Sequence, residues 1–294
     1  MRNHVHILSP SGVINEEYVY GARRRLKRWG YEVSIAEHAL CKSGRFAGTL
    51  EERMADLQRA CDDDTIDIIL CSRGGYGLAQ YADKIRLNER QLVIGFSDIT
   101  CLHSLAALRG ITSLHGLMCK HISQLSSGSM ALRAFKAMLD SWRDSCPLPE
   151  MTTRTGKTSL TGKAQGTLRG GNLSILYGLR GTPLDIPDEG RGTILFVEDI
   201  SERAYHIDRM MQNLRMSGIL SNLSGLIVGR FTDCDDDKLM HGSIFSRIRE
   251  MTAEYGYPVC FGFPAGHVTH NMPLMLNRIV EMEVECDSIH LTYK

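Results

Sequence analysis

Three side chains of this sequence could together carry out nucleophilic hydrolysis, and they lie far apart in the chain: Ser97, Glu198 and His267. Ser97 stands in Gln91-Leu-Val-Ile-Gly-Phe-Ser-Asp-Ile-Thr100. The apolar run there reads as a buried strand, and residues 99–108 read as a helix. Gly95 permits a sharp turn between them. A serine at such a turn is held above the end of a sheet, beside the free N–H groups of a helix start, which suits a nucleophile that makes an oxyanion. The same position suits a plain helix N-cap, and on this stretch alone the cap is the commoner outcome. Glu198 ends an otherwise apolar strand, where a carboxylate without a partner is costly to desolvate. A histidine is its natural partner, and the bond between them would fix the tautomer of a base.

The chain has eleven histidines, so false candidates abound. His206 falls inside a helix pattern and is expected to be partly exposed. His115 ends a strand in the first half and is the nearest rival in sequence. His267 follows a glycine in a loop after a strand, where an imidazole can reach into a cleft. The order Ser97, Glu198, His267 is that of the α/β-hydrolase triads, although Ile99 stands where the second glycine of their G-x-S-x-G turn would be. Arg73, Arg169 and Arg230 sit at the ends of expected elements and could bind a substrate carboxylate. Spacing does not choose among them. The glycine loops Arg73-Gly-Gly-Tyr-Gly77, which contains Tyr76, and Arg169-Gly-Gly-Asn172 could instead cradle a phosphate, but neither has Rossmann or P-loop spacing. The acidic run at 233–237 lacks calcium-loop spacing and reads as a solvated loop or helix start.

Composition narrows the class. The 294 residues are 43% hydrophobic, enough for a full core or two modest domains. A formal net charge of zero argues against a nucleic-acid protein. No apolar run is long enough for a transmembrane helix, so no membrane partner is expected. The first residues alternate like a strand and lack the pattern of a signal peptide. The nine cysteines are scattered singly with no C-x-x-C pair, as expected of reduced thiols in a cytoplasmic protein without a zinc site.

The elements that must position the three side chains alternate. Strands are expected at 4–8, 32–36, 66–71, 92–96 and 111–114, with helices at 15–29, 49–61 and 99–108. Strand–helix alternation implies a mostly parallel sheet flanked by helices, with its site beyond the carboxyl ends of the strands. Arg73 and Ser97 fall at such ends. A further helix is expected at 130–142. The Pro-containing stretch from Cys146 places a linker at 146–160, between an N-terminal domain (1–145) and a C-terminal one (161–294). The second domain reads as α/β with a β-rich part. It has a β-rich stretch at 157–168, helices at 173–179 and 205–216, strands at 193–197, 226–228 and 258–261, and a terminal hairpin over 279–293 turning at Asp287-Ser288.

Taken together and in order, Arg73-Gly-Gly-Tyr-Gly77, Gly95-Phe-Ser-Asp-Ile-Thr100, Leu195-Phe-Val-Glu-Asp199 and Gly266-His267 with Asn271 resemble the LD-carboxypeptidases. These are murein tetrapeptide carboxypeptidases, and the microcin-immunity peptidases share their fold. The resemblance spans nearly the whole chain. It implies Ser97 as nucleophile, Glu198 as orienting acid and His267 as general base, in a cleft between two domains. It also implies a cytoplasmic, metal-independent and dimeric enzyme with no cofactor. The oxyanion donors are then expected to be the N–H groups of Asp98 and Gly75, the latter chosen over Gly74, with Arg73, Tyr76, Arg169 and Arg230 as candidates for substrate contact. The expected substrate is a muropeptide or short peptide ending in a D-amino acid, and whether its third residue is lysine or diaminopimelate stays open. The chain departs from the family pattern at Leu117, where proline is frequent, and at 271–277, which lacks a later proline and glycine. An immunity-type peptidase acting on peptidyl or aminoacyl nucleotides would need an aromatic surface for the base. Trp142 is the one candidate for it and reads as core. A non-enzymatic protein binding a small ligand in the same cleft is the alternative of another class, and the complete Ser, Glu and His set argues against it.

Overall fold

The computed structural model describes residues 3–143, 147–186 and 192–294. The first half supplies β1 (His4–Leu8), α1 (Glu16–Arg28), β2 (Glu32–Ile35), α2 (Leu50–Asp62), β3 (Ile68–Cys71), β4 (Leu92–Gly95), α3 (Thr100–Ala107), β5 (Ser113–His115), α4 (Cys119–Gln124) and α5 (Met130–Ser141). The second half supplies β6 (Met151–Arg154), β7 (Gly162–Asn172), α6 (Leu173–Gly178), β8 (Thr193–Ile200), α7 (Ala204–Met216), β9 (Leu223–Thr232), α8 (Ile244–Thr252), β10 (Val259–Phe261), β11 (Leu274–Leu276), β12 (Ile279–Val284) and β13 (Ser288–Tyr293). The long helices start where local chemistry starts them. Asn15 accepts from the Glu17 N–H to cap α1, and Thr49 and Glu52 form a reciprocal capping box on α2.

The first sheet runs β11-β5-β4-β3-β1-β2. Its pairs from β2 to β5 are all parallel, and β11 is antiparallel to β5. β3 and β4 are buried along their whole length, which is why they read as continuous apolar runs. Strand order reverses between β1 and β3. In such sheets ligands bind beyond the carboxyl ends of the strands at the reversal, and here the loops after β1, β3 and β4 meet there. The second sheet runs β10-β9-β8-β7-β12-β13-β6. It is parallel from β7 to β10 and antiparallel from β7 through β12 and β13 to β6. The expectation of a mostly parallel, helix-flanked first half and an α/β second half with a β-rich part therefore holds.

The boundary between the halves is less clean than composition suggests. The expected linker at 146–160 contains β6, which pairs with β13 at the sheet edge; its first residue, Cys146, lies outside the described residues. β11 belongs to the second half in sequence but completes the first sheet, because its three apolar residues are buried against β5. One apolar core spans both sheets, joining Ile7, Ile94 and Leu114 to Phe196, Phe263 and Leu274. A second tie is polar: the Asn172 N–H at the end of β7 donates to Thr100 Oγ1 on α3, at 3.0 Å. Among the described residues no helix is long and apolar enough to cross a membrane.

Candidate active site

The turn after β4 holds the strain in this region. Phe96 is extended, and Ser97 then takes φ +66°, the left-handed region that costs a non-glycine residue roughly 1 kcal/mol or more. Gly95 itself is ordinary strand. It must be glycine for space, since a Cβ there would lie 2.7 Å from Ile99 Cγ1. A short 3-10 turn at Ser97–Ile99 precedes α3, and the Ser97 side chain caps nothing. The cap reading of Ser97 is therefore not what the fold adopts. Gly74 presses on the serine from the loop after β3: a Cβ on Gly74 would sit 2.8 Å from Ser97 Cβ and 3.1 Å from its Oγ. Asp98 fastens the turn from below. Its buried Oδ2 accepts from Ser11 Oγ at 2.6 Å and from the Leu78 N–H at 2.9 Å, while burial raises its pKa. One carboxyl group thereby ties the loops after β1 and β3 to the serine turn.

Glu198 lies at an irregularity where the pairing of β8 with β9 shifts between Val197 and Asp199. Such a shift re-aims a side chain. The Glu198 side chain is wholly buried, and its Oε2 lies 2.7 Å from Nδ1 of His267. With a carboxylate as acceptor, Nδ1–H donates, which leaves Nε2 as the basic nitrogen. His267 arrives on the loop after β10. That loop is pinned at three consecutive residues: the Arg230 N–H donates to the Ala265 carbonyl, the Gly266 N–H donates to Asn271 Oδ1, and the His267 ring packs edge-on against Phe96.

Ser97 and His267 line one cavity of about 590 Å³. Gly74, Gly75 and Arg73 contribute its floor, and Ile14, Tyr18, Met118 and Ile200 give it an apolar wall. Among the described residues no hydrogen bond joins Ser97 to His267. The arrangement can deprotonate a hydroxyl through an oriented imidazole, beside unstrapped backbone N–H groups at a turn and a glycine loop.

The other expected residues divide. Arg73 lines the cavity, and its Nη1 donates to the Val13 carbonyl at 2.7 Å. Tyr76 is exposed and leans on the Phe46 ring, outside the cavity lining. Arg169 is buried within β7 and lines a separate narrow crevice with His103 and Asn277. Arg230 is exposed on β9 and is not among the lining residues. Both arginines sit inside strands longer than periodicity indicated. The second glycine loop has no room for a phosphate: Asn172 caps α6, and a Cβ on Gly171 would meet Thr100 Oγ1 at 2.5 Å.

His115, the rival base, is completely buried between Phe96 and Phe196, and burial drives its pKa well down. His206 is partly exposed and pairs with Glu202. Trp142 is core. In the acidic run, Asp236 and Asp237 accept backbone N–H groups at helix starts. Among the described residues the side chains close enough to share an ion are Glu37, His38 and Asp56, away from the cavity lining, where Arg59 already pairs with Asp56. Two basic lining residues escaped the sequence reading, Lys120 and His121 on α4. The signal was available, since they follow the end of β5 just as Arg73 follows β3. Burial lowers the His121 pKa to about 4, with the adjacent Lys120 adding to the effect.

Comparison with known proteins matches both halves of the chain. Residues 5–116 match the model of the LD-carboxypeptidase N-terminal domain, and residues 165–282 match that of the LD-carboxypeptidase C-terminal domain. A "Probable murein peptide carboxypeptidase" of Bacillus subtilis is 31% identical, over 90% of this chain and 83% of its own. A "Murein tetrapeptide carboxypeptidase" of Pseudomonas aeruginosa is 28% identical, over 91% and 89%. Among solved structures, a muramoyltetrapeptide carboxypeptidase from Oxalobacter formigenes superposes with a TM-score of 0.84 at 28% identity, covering 99% of this chain and 98% of that one. The immunity protein MccF, in complex with glutamyl sulfamoyl guanosine, shares the fold at a TM-score of 0.80 and 17% identity, over 99% and 96%.

Proposed function

This chain belongs to the LD-carboxypeptidase family, and from that premise we propose that it is a serine peptidase releasing the terminal D-alanine of murein tetrapeptide. The observation that carries the reading is the 2.7 Å contact between buried Glu198 and His267, with that imidazole and Ser97 on one cavity. His267 Nε2 takes the Ser97 proton as Oγ attacks the scissile carbonyl. Glu198 holds the tautomer and stabilises the imidazolium that forms. The N–H groups of Asp98 and Gly75 receive the oxyanion, each such donor being worth roughly a hundred- to a thousand-fold in rate. His267 then protonates the leaving D-alanine amine, and water hydrolyses the acyl-enzyme through the same base. The hydroxyl–imidazole hydrogen bond forms as substrate fills the cavity, as catalytic bonds often tighten only in the complex.

Arg73 takes the terminal carboxylate. Its guanidinium is planar and already anchored to a backbone carbonyl, which suits an acceptor at a fixed distance from the scissile bond. The tyrosine and the two other arginines considered with it lie outside the cavity lining. A cytoplasmic setting and a dimeric state remain part of this reading through the family resemblance alone.

The test is direct. Murein tetrapeptide is incubated with the protein and D-alanine is measured. Release by the wild type and its loss in Ser97→Ala are expected. No release by the wild type, or undiminished release by the variant, overturns the assignment.

A further inference from the structure

The cavity carries charge of one sign. Arg73 and Lys120 both line it, while no Asp or Glu is among its described lining residues. Glu16 and Glu17 flank the lining residues Asn15 and Tyr18 but line a separate pocket, Asp98 beside Ser97 is buried, and Glu198 is wholly buried behind His267 and engaged by Nδ1. Lys120 is exposed and forms neither an ion pair nor a hydrogen bond among the described residues. It stands on α4, next to His121, whose imidazole is held neutral by burial and by Lys120 itself. A cation kept beside a neutral ring, at the mouth of a cavity without acids, has its charge available to a ligand.

We infer that Lys120 is a specificity residue that reads a side-chain carboxylate on the residue contributing the scissile carbonyl, so that the enzyme prefers diaminopimelate over lysine at the third position of the stem peptide. The inference rests on the proposed peptidase reading. The division of labour between the two cations follows from their chemistry. A terminal carboxylate sits at a fixed distance from the scissile bond and suits the anchored fork of Arg73. A carboxylate at the end of a side chain varies in position and suits a flexible point charge on a four-carbon stem. Lysine would bring the same distal ammonium without the carboxylate that neutralises it in diaminopimelate, leaving a net positive end near Lys120 that meets no acid in the described lining. Like charges so placed disfavour binding, which is discrimination by repulsion as well as attraction.

The experiment measures kcat/KM for three tetrapeptides that end in D-alanine and differ only at the third residue: diaminopimelate, diaminopimelate with its side-chain carboxyl amidated, and lysine. The wild type should favour free diaminopimelate over each of the others by about tenfold or more, the range of one charge-assisted contact. Lys120→Gln should shrink both ratios toward one, Lys120→Arg should restore them, and Lys120→Glu should turn the lysine ratio over. Because each ratio is read on a single preparation, a partly unfolded variant does not distort it. Wild-type cleavage with ratios that Lys120→Gln and Lys120→Glu leave unchanged overturns the inference and spares the peptidase reading. Absence of D-alanine release from all three by the wild type overturns both.

Discussion

A Cβ placed on Gly266 would lie 2.8 Å from Oε2 of Glu198, the atom that holds His267 Nδ1. Gly266 also has φ +124°, which L side chains rarely adopt. Glycine is thus required here twice over, by space at the carboxylate and by the backbone angle that delivers the imidazole. Gly266→Ala should cost about 2 to 4 kcal/mol of stability, as substitutions at special backbone angles and in packed sites do. Its kcat/KM for D-alanine release should fall by about a hundredfold or more, since misplacement of a base by an ångström is enough. Chemical denaturation and the release assay check both, and a variant with wild-type turnover would show that the Glu198–His267 contact is dispensable.

The strain at Ser97 makes a second prediction. Ser97→Ala and Ser97→Gly both remove the hydroxyl and should both lose nearly all activity, because members of such a set act as a unit. They should differ in stability. At φ +66° alanine keeps the left-handed penalty and glycine loses it, so Ser97→Gly should be the more stable of the two by about 1 kcal/mol. Equal melting curves would mean that the turn stores no strain.

Much of this arrangement was legible from residue order, and the parts that were not have physical causes. β1 begins and ends where alternation places it, and the parallel pairing of β1, β3 and β4 follows from apolar runs separated by helices. β11 was not legible. Three apolar residues after a loop say nothing about which sheet they join, and here the tertiary core decides. β6 was hidden because Pro147 and Pro149 just before it read as linker, although an edge strand tolerates such neighbours. At the site, Glu198 stood out because a lone carboxylate in an apolar strand needs a partner, and His267 is found within reach of it. Arg169 and Arg230 misled because a charged residue near an apolar run looks like a strand end. β7 and β9 both continue past them. The reverse held for Asp98, considered only for its N–H, whose carboxyl group turns out to bind two loops.

Acid should unfold the protein through its buried histidines. Burial lowers His103 and His121 to about 4 and holds His115 well below its ordinary value. A histidine whose folded pKa lies below the unfolded value of about 6.5 contributes stability that is complete above that value and is lost as pH falls toward the folded one. Asp199 runs the other way. Burial raises it to about 6, so its contribution is complete below the unfolded carboxyl value and is lost as pH rises through 6. Between pH 6 and 4.5 three imidazoles outweigh this carboxyl and that of Asp98, which burial also raises. Unfolding should then take up roughly one to two protons, and stability should fall by roughly 1 to 3 kcal/mol per pH unit. Urea denaturation across that window measures the slope, and a flat or rising trend on acidification would contradict neutral burial of these rings.

The last prediction concerns Asn271, a fully buried amide that touches none of the three reacting side chains through a described hydrogen bond. Its Oδ1 accepts the N–H of Gly266 at 2.9 Å, one residue before His267. Asn271→Ala would leave that N–H buried without a partner, at a cost of about 1 to 3 kcal/mol. Because the loop carries the base and not the wall of the cavity, the effect on catalysis should fall on kcat, by about tenfold or more, with KM changed much less. Steady-state kinetics separate the two. A rise in KM at constant kcat would place Asn271 with substrate binding instead of with the positioning of His267.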